Sequence, residues 1–180
     1  MNCVLKLRDL LTGARGLTFA SLLFVACAAP AADAPGAGTC FPGDLKLDAP
    51  TPGFGWLMVR RVYRDDASFR VTKLKMELDG TEFLSTEDPA VTTTASHVAF
   101  RGPMKTGKHV LKTHDWLAGE GSGVFSYMNA YRFEAPGEYA FELSTGELAC
   151  LTQLAWFADG SAPMQERPRV TFDLETRELR

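Results

Sequence analysis

The stretch FRVTKLKMELDGTEFL, Phe69 to Leu84, places two runs of apolar and polar side chains on either side of Asp79-Gly80. Alternation at period two is the mark of a half-buried strand, because successive side chains point to opposite faces. Asp-Gly between two such runs fits a two-residue hairpin turn, whose central residues both need positive φ. The apolar phase of the first run slips between Val71 and Leu74. One extra residue near Thr72-Lys73 accounts for the slip, so a β-bulge is expected there.

The same signals recur in both directions. WLMVRRVY, Trp56 to Tyr63, is rich in β-branched and aromatic residues. Ser85 to Thr93 reads as a loop, and ASHVAF, Ala95 to Phe100, as the next strand. KHVLKTHDWL, Lys108 to Leu117, is expected to return from it through a turn about Pro103. VFSYMNAYRFE, Val124 to Glu134, reads as the longest strand, and APGE after it as a turn. YAFELS and ELACLTQLAWF are expected to form a hairpin about Thr145-Gly146. RVTFDLE, Arg169 to Glu175, alternates as a final edge strand. Val124 to Glu134 and Glu147 to Phe157 are apolar in both phases, as central strands are. About eight short strands without a long amphipathic helix imply an all-β fold, an antiparallel sandwich of immunoglobulin-like kind.

The N-terminus has a different character. Lys6, Arg8 and Arg15 precede an uncharged run from Leu17 to Ala29, stopped by Pro30. A basic stretch, a short apolar stretch and small residues form a secretory signal. The run is shorter than the roughly 20 residues of a bilayer span. Phe24-Val25-Ala26-Cys27 resembles a bacterial lipobox, in which Cys27 would be acylated and become the new N-terminus. Cleavage after a small-x-small site, Ala32-Asp33-Ala34, is the competing reading. The expected organisation is therefore a signal over residues 1–26, an Ala/Pro/Gly-rich tether over 27–54 and a β-sandwich over 55–175, in an exported and lipid-anchored, or else secreted, protein.

Both cleavage readings take Cys3 and Cys27 out of disulfide chemistry. Cys40 and Cys150 remain, an even pair in an oxidising compartment. A bridge between them would pin the tether to a core strand. Two buried free thiols are the alternative. The net charge of −3 over 180 residues lacks the basicity of a nucleic-acid binder.

MELDG followed by MKTGKHVLKT resembles the PEGA-type module of bacterial envelope proteins, a small β-sandwich with a strand, a DG turn and a G-x-H strand. The resemblance covers Lys73 to Trp116 and departs at the characteristic tetrapeptide, which this chain lacks. It implies a non-catalytic β domain associated with the cell envelope, and it carries no catalytic residue with it.

Candidate sites are few. Arg101, Lys105, Lys108 and Lys112 form a run of bases without an acid, whereas ten acids face five bases from Trp116 to the end. A basic hairpin tip would attract anionic lipid or polymer. The plainer role is a solvated edge kept from strand addition by its lysines. Trp116, beside the glycine-rich residues 118–123, is the best candidate for an exposed aromatic contact. Phe125, Tyr127, Tyr131 and Phe133 share one strand face, which is expected to pack the core. A hairpin about Pro103 would bring His97 opposite His109, with Asp115 or Glu134 as further metal ligands. That is the basis of a rival reading, a metal-dependent or carbohydrate-active enzyme. No serine sits in a nucleophile elbow, and GPMKTGKH fails the phosphate-loop pattern. The expected function is a non-catalytic envelope module without a cofactor. It would bind an envelope protein or an anionic polymer or lipid surface through Arg101, Lys105, Lys108, Lys112 and Trp116. A structural component assembling through its edge strands is a third reading.

Overall fold

The structure, a computed structural model, describes residues 40–41, 51–64, 68–158 and 160–179. The signal, Cys27 and most of the tether lie outside the described residues. The described chain forms eight strands: β1 (Phe54–Tyr63), β2 (Phe69–Leu78), β3 (Thr81–Thr86), β4 (Ser96–Lys105), β5 (Gly107–Gly119), β6 (Arg132–Leu143), β7 (Glu147–Phe157) and β8 (Pro168–Glu178). They make two four-stranded sheets, ordered β4-β1-β7-β8 and β3-β2-β5-β6. The fold is an all-β sandwich, and its pairings are antiparallel except for β1 with β7 at the centre of the first sheet.

The opening hairpin has the expected geometry. Asp79 and Gly80 sit at φ 52° and 77° between β2 and β3, the paired positive values of a type I′ turn. The pairing of β2 with β5 shifts register between Val71 and Lys73, at the expected bulge. The bulge reconciles two phases: Phe69 and Val71 face inward before it, Leu74 and Met76 after it, and all four are buried. The main core joins Leu57, Val59, Leu74, Met76, Leu111, Phe141, Leu143, Ala149 and Leu151. A second cluster at one end joins Tyr63, Phe69, Val71, Leu117, Met128 and Phe133.

Cys40 and Cys150 form a disulfide with a Cα–Cα distance of 6.1 Å. With Met58 they make a small cluster on the outer side of the first sheet. The tether is thus fixed to the central strand β7.

Several expectations are corrected. Residues 124–131 are not a strand. Gly123–Ala130 is a 3₁₀ segment, because the pairing of β5 with β6 ends at Ala118 with Arg132 and leaves no neighbour to extend the ladder. The strand begins at Arg132, and β6 is an edge rather than a centre. Ala135 to Glu138 lies within β6 instead of turning the chain. Pro136 is tolerated because an edge strand has a side free of ladder bonds. Gly137 is required there, since a Cβ would come within 2.7 Å of Val170.

The expected hairpins at Pro103 and at Thr145-Gly146 are not hairpins either. β4 and β5 belong to opposite sheets, as do β6 and β7. Gly107 at φ 130° and Gly146 at φ 72° carry the chain from one layer to the other. A short helix, α1 (Pro89–Thr92), occupies the expected loop. Asp88 caps it by accepting from the Ala90 amide. Strand β7 is central, and β8 is an edge, as expected.

Candidate functional site

Strand β5 sorts its side chains by parity. Leu111, Thr113, Asp115 and Leu117 are buried between the sheets. Lys112, His114 and Trp116 lie in the opposite phase, on the outer face of the second sheet. Lys108 shares that phase. Strand β2 contributes Lys73, Lys75 and Glu77 to this face, and β6 contributes Arg132, Glu134, Pro136 and Glu138.

Trp116 is the hub of the outer face. His114 stacks on it with ring centroids 3.9 Å apart and planes within 4°. The Lys73 ammonium lies 5.5 Å from the Trp116 ring centroid, within reach of the ring's negative face. Glu134 accepts from His114 Nε2 at 3.0 Å, and Glu87 holds Lys73 at 3.3 Å. A groove of about 490 Å³ runs along one side of Trp116, over Lys75, Lys112, His114, Pro136 and Glu138. A second, of about 340 Å³, runs over Thr72, Lys73, Glu87, Arg132 and Phe133 on its other side.

The charges on this face are laddered. Lys112 pairs with Glu138 at 3.4 Å, and Lys75 with Glu77 at 2.5 Å and Glu82 at 3.3 Å. Hydrogen bonds that Lys75 donates to Glu77 and Glu82 hold its ammonium above its ordinary range. The same contact with Lys75 holds Glu77 below its own. Alternating charges around an aromatic stack make this face polar and charge-patterned rather than a bulk apolar patch.

The sequence candidates separate in space. Lys108, Lys112 and Trp116 share β5. Arg101 and Lys105 lie on β4, the edge of the other sheet, opposite Met58 and Phe54. The five residues therefore do not form one patch.

His97 and His109 do not meet. His97 faces Arg61 across β1 and β4, whereas His109 faces Phe141 across β5 and β6. His109 is engaged locally: Nδ1 donates to Asp79 at 2.8 Å, and Nε2 lies 2.8 Å from the Lys105 carbonyl oxygen. Burial, assisted by the Arg61 charge, lowers the His97 pKa from its ordinary value. Of the further ligands considered, Asp115 points inward to Arg61 and Glu134 outward to His114. Among the described residues no three His, Cys, Asp or Glu side chains are grouped to hold a metal.

Two features went unnoticed in the sequence. The first is a polar layer inside the sandwich. Arg61 donates to Asp115 at 3.3 Å and to the Thr92 carbonyl at 3.1 Å, and Gln153 donates to Asp115 at 3.4 Å. Burial raises the Asp115 carboxyl above its ordinary range, against the opposing pull of Arg61 and Gln153. The signal was parity: Arg61 shares the phase of Leu57 and Val59, and Asp115 that of Leu111 and Leu117.

The second feature corrects an expectation. Of the aromatic group placed in the core, only Phe133 is buried. Phe125, Tyr127 and Tyr131 are 60%, 53% and 43% exposed, and Val124 is 84% exposed. The missing signal was the end of the β5 ladder, which strand parity alone does not reveal.

Compared with models of protein families, with curated proteins and with solved structures, the chain matches none. No helix among the described residues is long and apolar enough to cross a membrane.

Proposed function

We propose that the protein is an exported envelope module, held at a membrane by acyl chains on Cys27. It is non-catalytic and binds a protein or polymer partner on the outer face of its second sheet. The observation that carries the reading is the Trp116–His114 stack between two grooves, framed by alternating charges. An aromatic anchor within a polar frame is the usual composition of a binding hot spot. Lys108 and Lys112 extend the face along β5. Arg101 and Lys105 would steer an anionic partner from the neighbouring edge without sharing that surface.

The lipobox-like Phe24-Val25-Ala26-Cys27, the Cys40–Cys150 bridge and the likeness of Lys73 to Trp116 to PEGA-type modules support an envelope setting. A disulfide between a tether and a core strand suits an oxidising compartment. One acyl chain holds a protein only marginally, so stable anchoring requires more than one.

The test has two arms. Intact mass of the native protein from membranes reports cleavage, acylation and the disulfide together. A diacylated N-terminal Cys27 supports the envelope reading, and an unmodified chain beginning at Pro35 removes the anchor. Cross-linking in cells through a photoreactive residue at position 112 should capture a partner, and Trp116→Ala should weaken that capture by about tenfold or more. Equal capture with and without the indole would remove Trp116 from the interface.

A further inference from the structure

We propose that residues 121–131 form a membrane-facing tip whose Val124, Phe125, Tyr127 and Tyr131 side chains enter the boundary between headgroups and acyl chains. This rests on the envelope reading only in requiring a bilayer nearby. It does not depend on the Trp116 face or on its partner.

The segment is built to present these side chains. Met128, 5% exposed, plugs the end of the core beside Phe69 and Phe133. Asn129 clamps Gly121 from both sides, accepting from its amide at 2.8 Å and donating to its carbonyl at 3.1 Å. Gly119 donates to Tyr131 at 3.1 Å, closing the loop at its base. Phe125, Tyr127 and Tyr131 are neighbours at ring-centroid spacings of 6.4 Å, and Tyr131 stacks on the buried Phe133 at 6.1 Å. Large apolar side chains held outward by a fixed backbone mark an interaction site.

Three observations choose the occupant. No charged residue occurs from Gly121 to Tyr131, so no side-chain charge in the segment opposes entry into a low-dielectric layer. Tyrosine, with an apolar ring and a polar hydroxyl, is enriched where membrane meets water. The rings are tilted at 53° and 81° to one another, so they offer no flat platform for a sugar chain.

The tether also reaches. Cys150 lies seven residues before Phe157, at the level of the segment, or about 24 Å along β7. The thirteen steps from Cys27 to Cys40 span up to about 45 Å when extended. Acyl chains on Cys27 and the aromatic tip can therefore share one bilayer. The opposite end of the sandwich, with Lys105 and Lys108, would then face away from it.

The test is peptide-resolved hydrogen exchange of the full chain, alone and with vesicles of phosphatidylglycerol or phosphatidylcholine. The chain's own anchor is expected to hold it on vesicles, so the readout must be local. Exchange across 121–131 should slow at least about tenfold on vesicles. The Phe125→Ser/Tyr127→Ser variant should lose that protection while its other strands keep theirs. Four results would overturn the proposal: no vesicle binding, binding without protection at 121–131, protection at residues 105–108 instead, or protection without lipid that grows with protein concentration or with added soluble glycan. An unacylated Cys27 with protection still present at 121–131 would remove the anchor and leave the tip standing.

Discussion

The Arg61 guanidinium and the Asp115 carboxylate meet at 3.3 Å between the two sheets, at 0% and 1% side-chain exposure. They join the central strand β1 of one layer to β5 of the other, and Arg61 also holds the Thr92 carbonyl of α1. A buried pair of this kind contributes little net stability, because desolvation offsets the attraction, but losing one partner strands a buried charge. Arg61→Ala is expected to lower unfolding stability by about 3–5 kcal/mol. Arg61→Met/Asp115→Leu, which removes both charges, should recover most of that loss. The pH dependence has a definite sign. Burial raises the folded pKa of Asp115 above its unfolded value near 3.8, so the folded state retains this proton at higher pH. The contribution of Asp115 is then most favourable in acid and declines as pH rises from about 3.8 through the folded value. Denaturant midpoints at several pH values should show this decline in the parent chain and its absence in the double variant. A double variant as unstable as Arg61→Ala would show that the interior needs the ions themselves.

The DG turn carries the opposite sign. Asp79 accepts from the Val110 amide at 2.9 Å and from His109 Nδ1 at 2.8 Å. Burial pushes its carboxyl up, but these two donors together bring it below its ordinary value. The folded pKa is depressed, so this contribution is present above about pH 3.8 and is lost as pH falls through the folded value. Asp79→Ala should cost about 1–2 kcal/mol at neutral pH and flatten the acid limb of the stability curve. Asp79→Asn keeps an acceptor and tolerates positive φ, so it should lose less. Equal losses for the two substitutions would mean that the carboxylate charge, which both remove, sets the effect rather than the acceptor or the backbone conformation.

The same turn marks how far the sequence was legible. Asp79-Gly80, the phase slip at Thr72-Lys73 and the pairing of Cys40 with Cys150 are local or arithmetical signals, and each has its counterpart in the structure. Layer assignment is non-local. Nothing near Thr106-Gly107 or Thr145-Gly146 says whether the next strand pairs with the last or crosses to the other sheet. The first of those crossings separates Arg101 and Lys105 from Lys112 and Trp116. The strand-like composition of residues 124–131 misled for a related reason. Aromatic and β-branched residues favour strands only where a neighbouring strand exists, and β5 stops short of them.

The Cys40–Cys150 bridge spans a sequence separation of 110. The chain-entropy model assigns such a loop about 4–5 kcal/mol. The bridge also holds Cys40 over Met58 and within 3.4 Å of Glu175, which accepts from its amide. Cys40→Ser/Cys150→Ser should therefore lower the denaturant midpoint substantially without changing the strand signature in circular dichroism. Reduction of the parent chain should reproduce that shift. A midpoint indifferent to both would mean that the unfolded chain is already compact enough to forfeit the entropy term.

Gly121 and Gly123 separate close approach from backbone conformation in the aromatic tip. A Cβ on Gly121 would collide with the Phe125 carbonyl and with Met128, and one on Gly119 with the Met128 carbonyl. Gly121→Ala should push the 3₁₀ segment outward and unseat Met128 from the core beside Phe69, at about 1–3 kcal/mol. Gly123 has open space around it but sits at φ 58°. Its alanine variant meets only the left-handed penalty, about 1–2 kcal/mol. Asparagine visits that region readily, so Gly123→Asn should recover stability whereas Gly121→Asn should not. Exchange of the Met128 and Asn129 amides is the local check: faster in Gly121→Ala, unchanged in Gly123→Asn. If asparagine rescued both positions, the tip would tolerate displacement, and Met128 would not be what holds it.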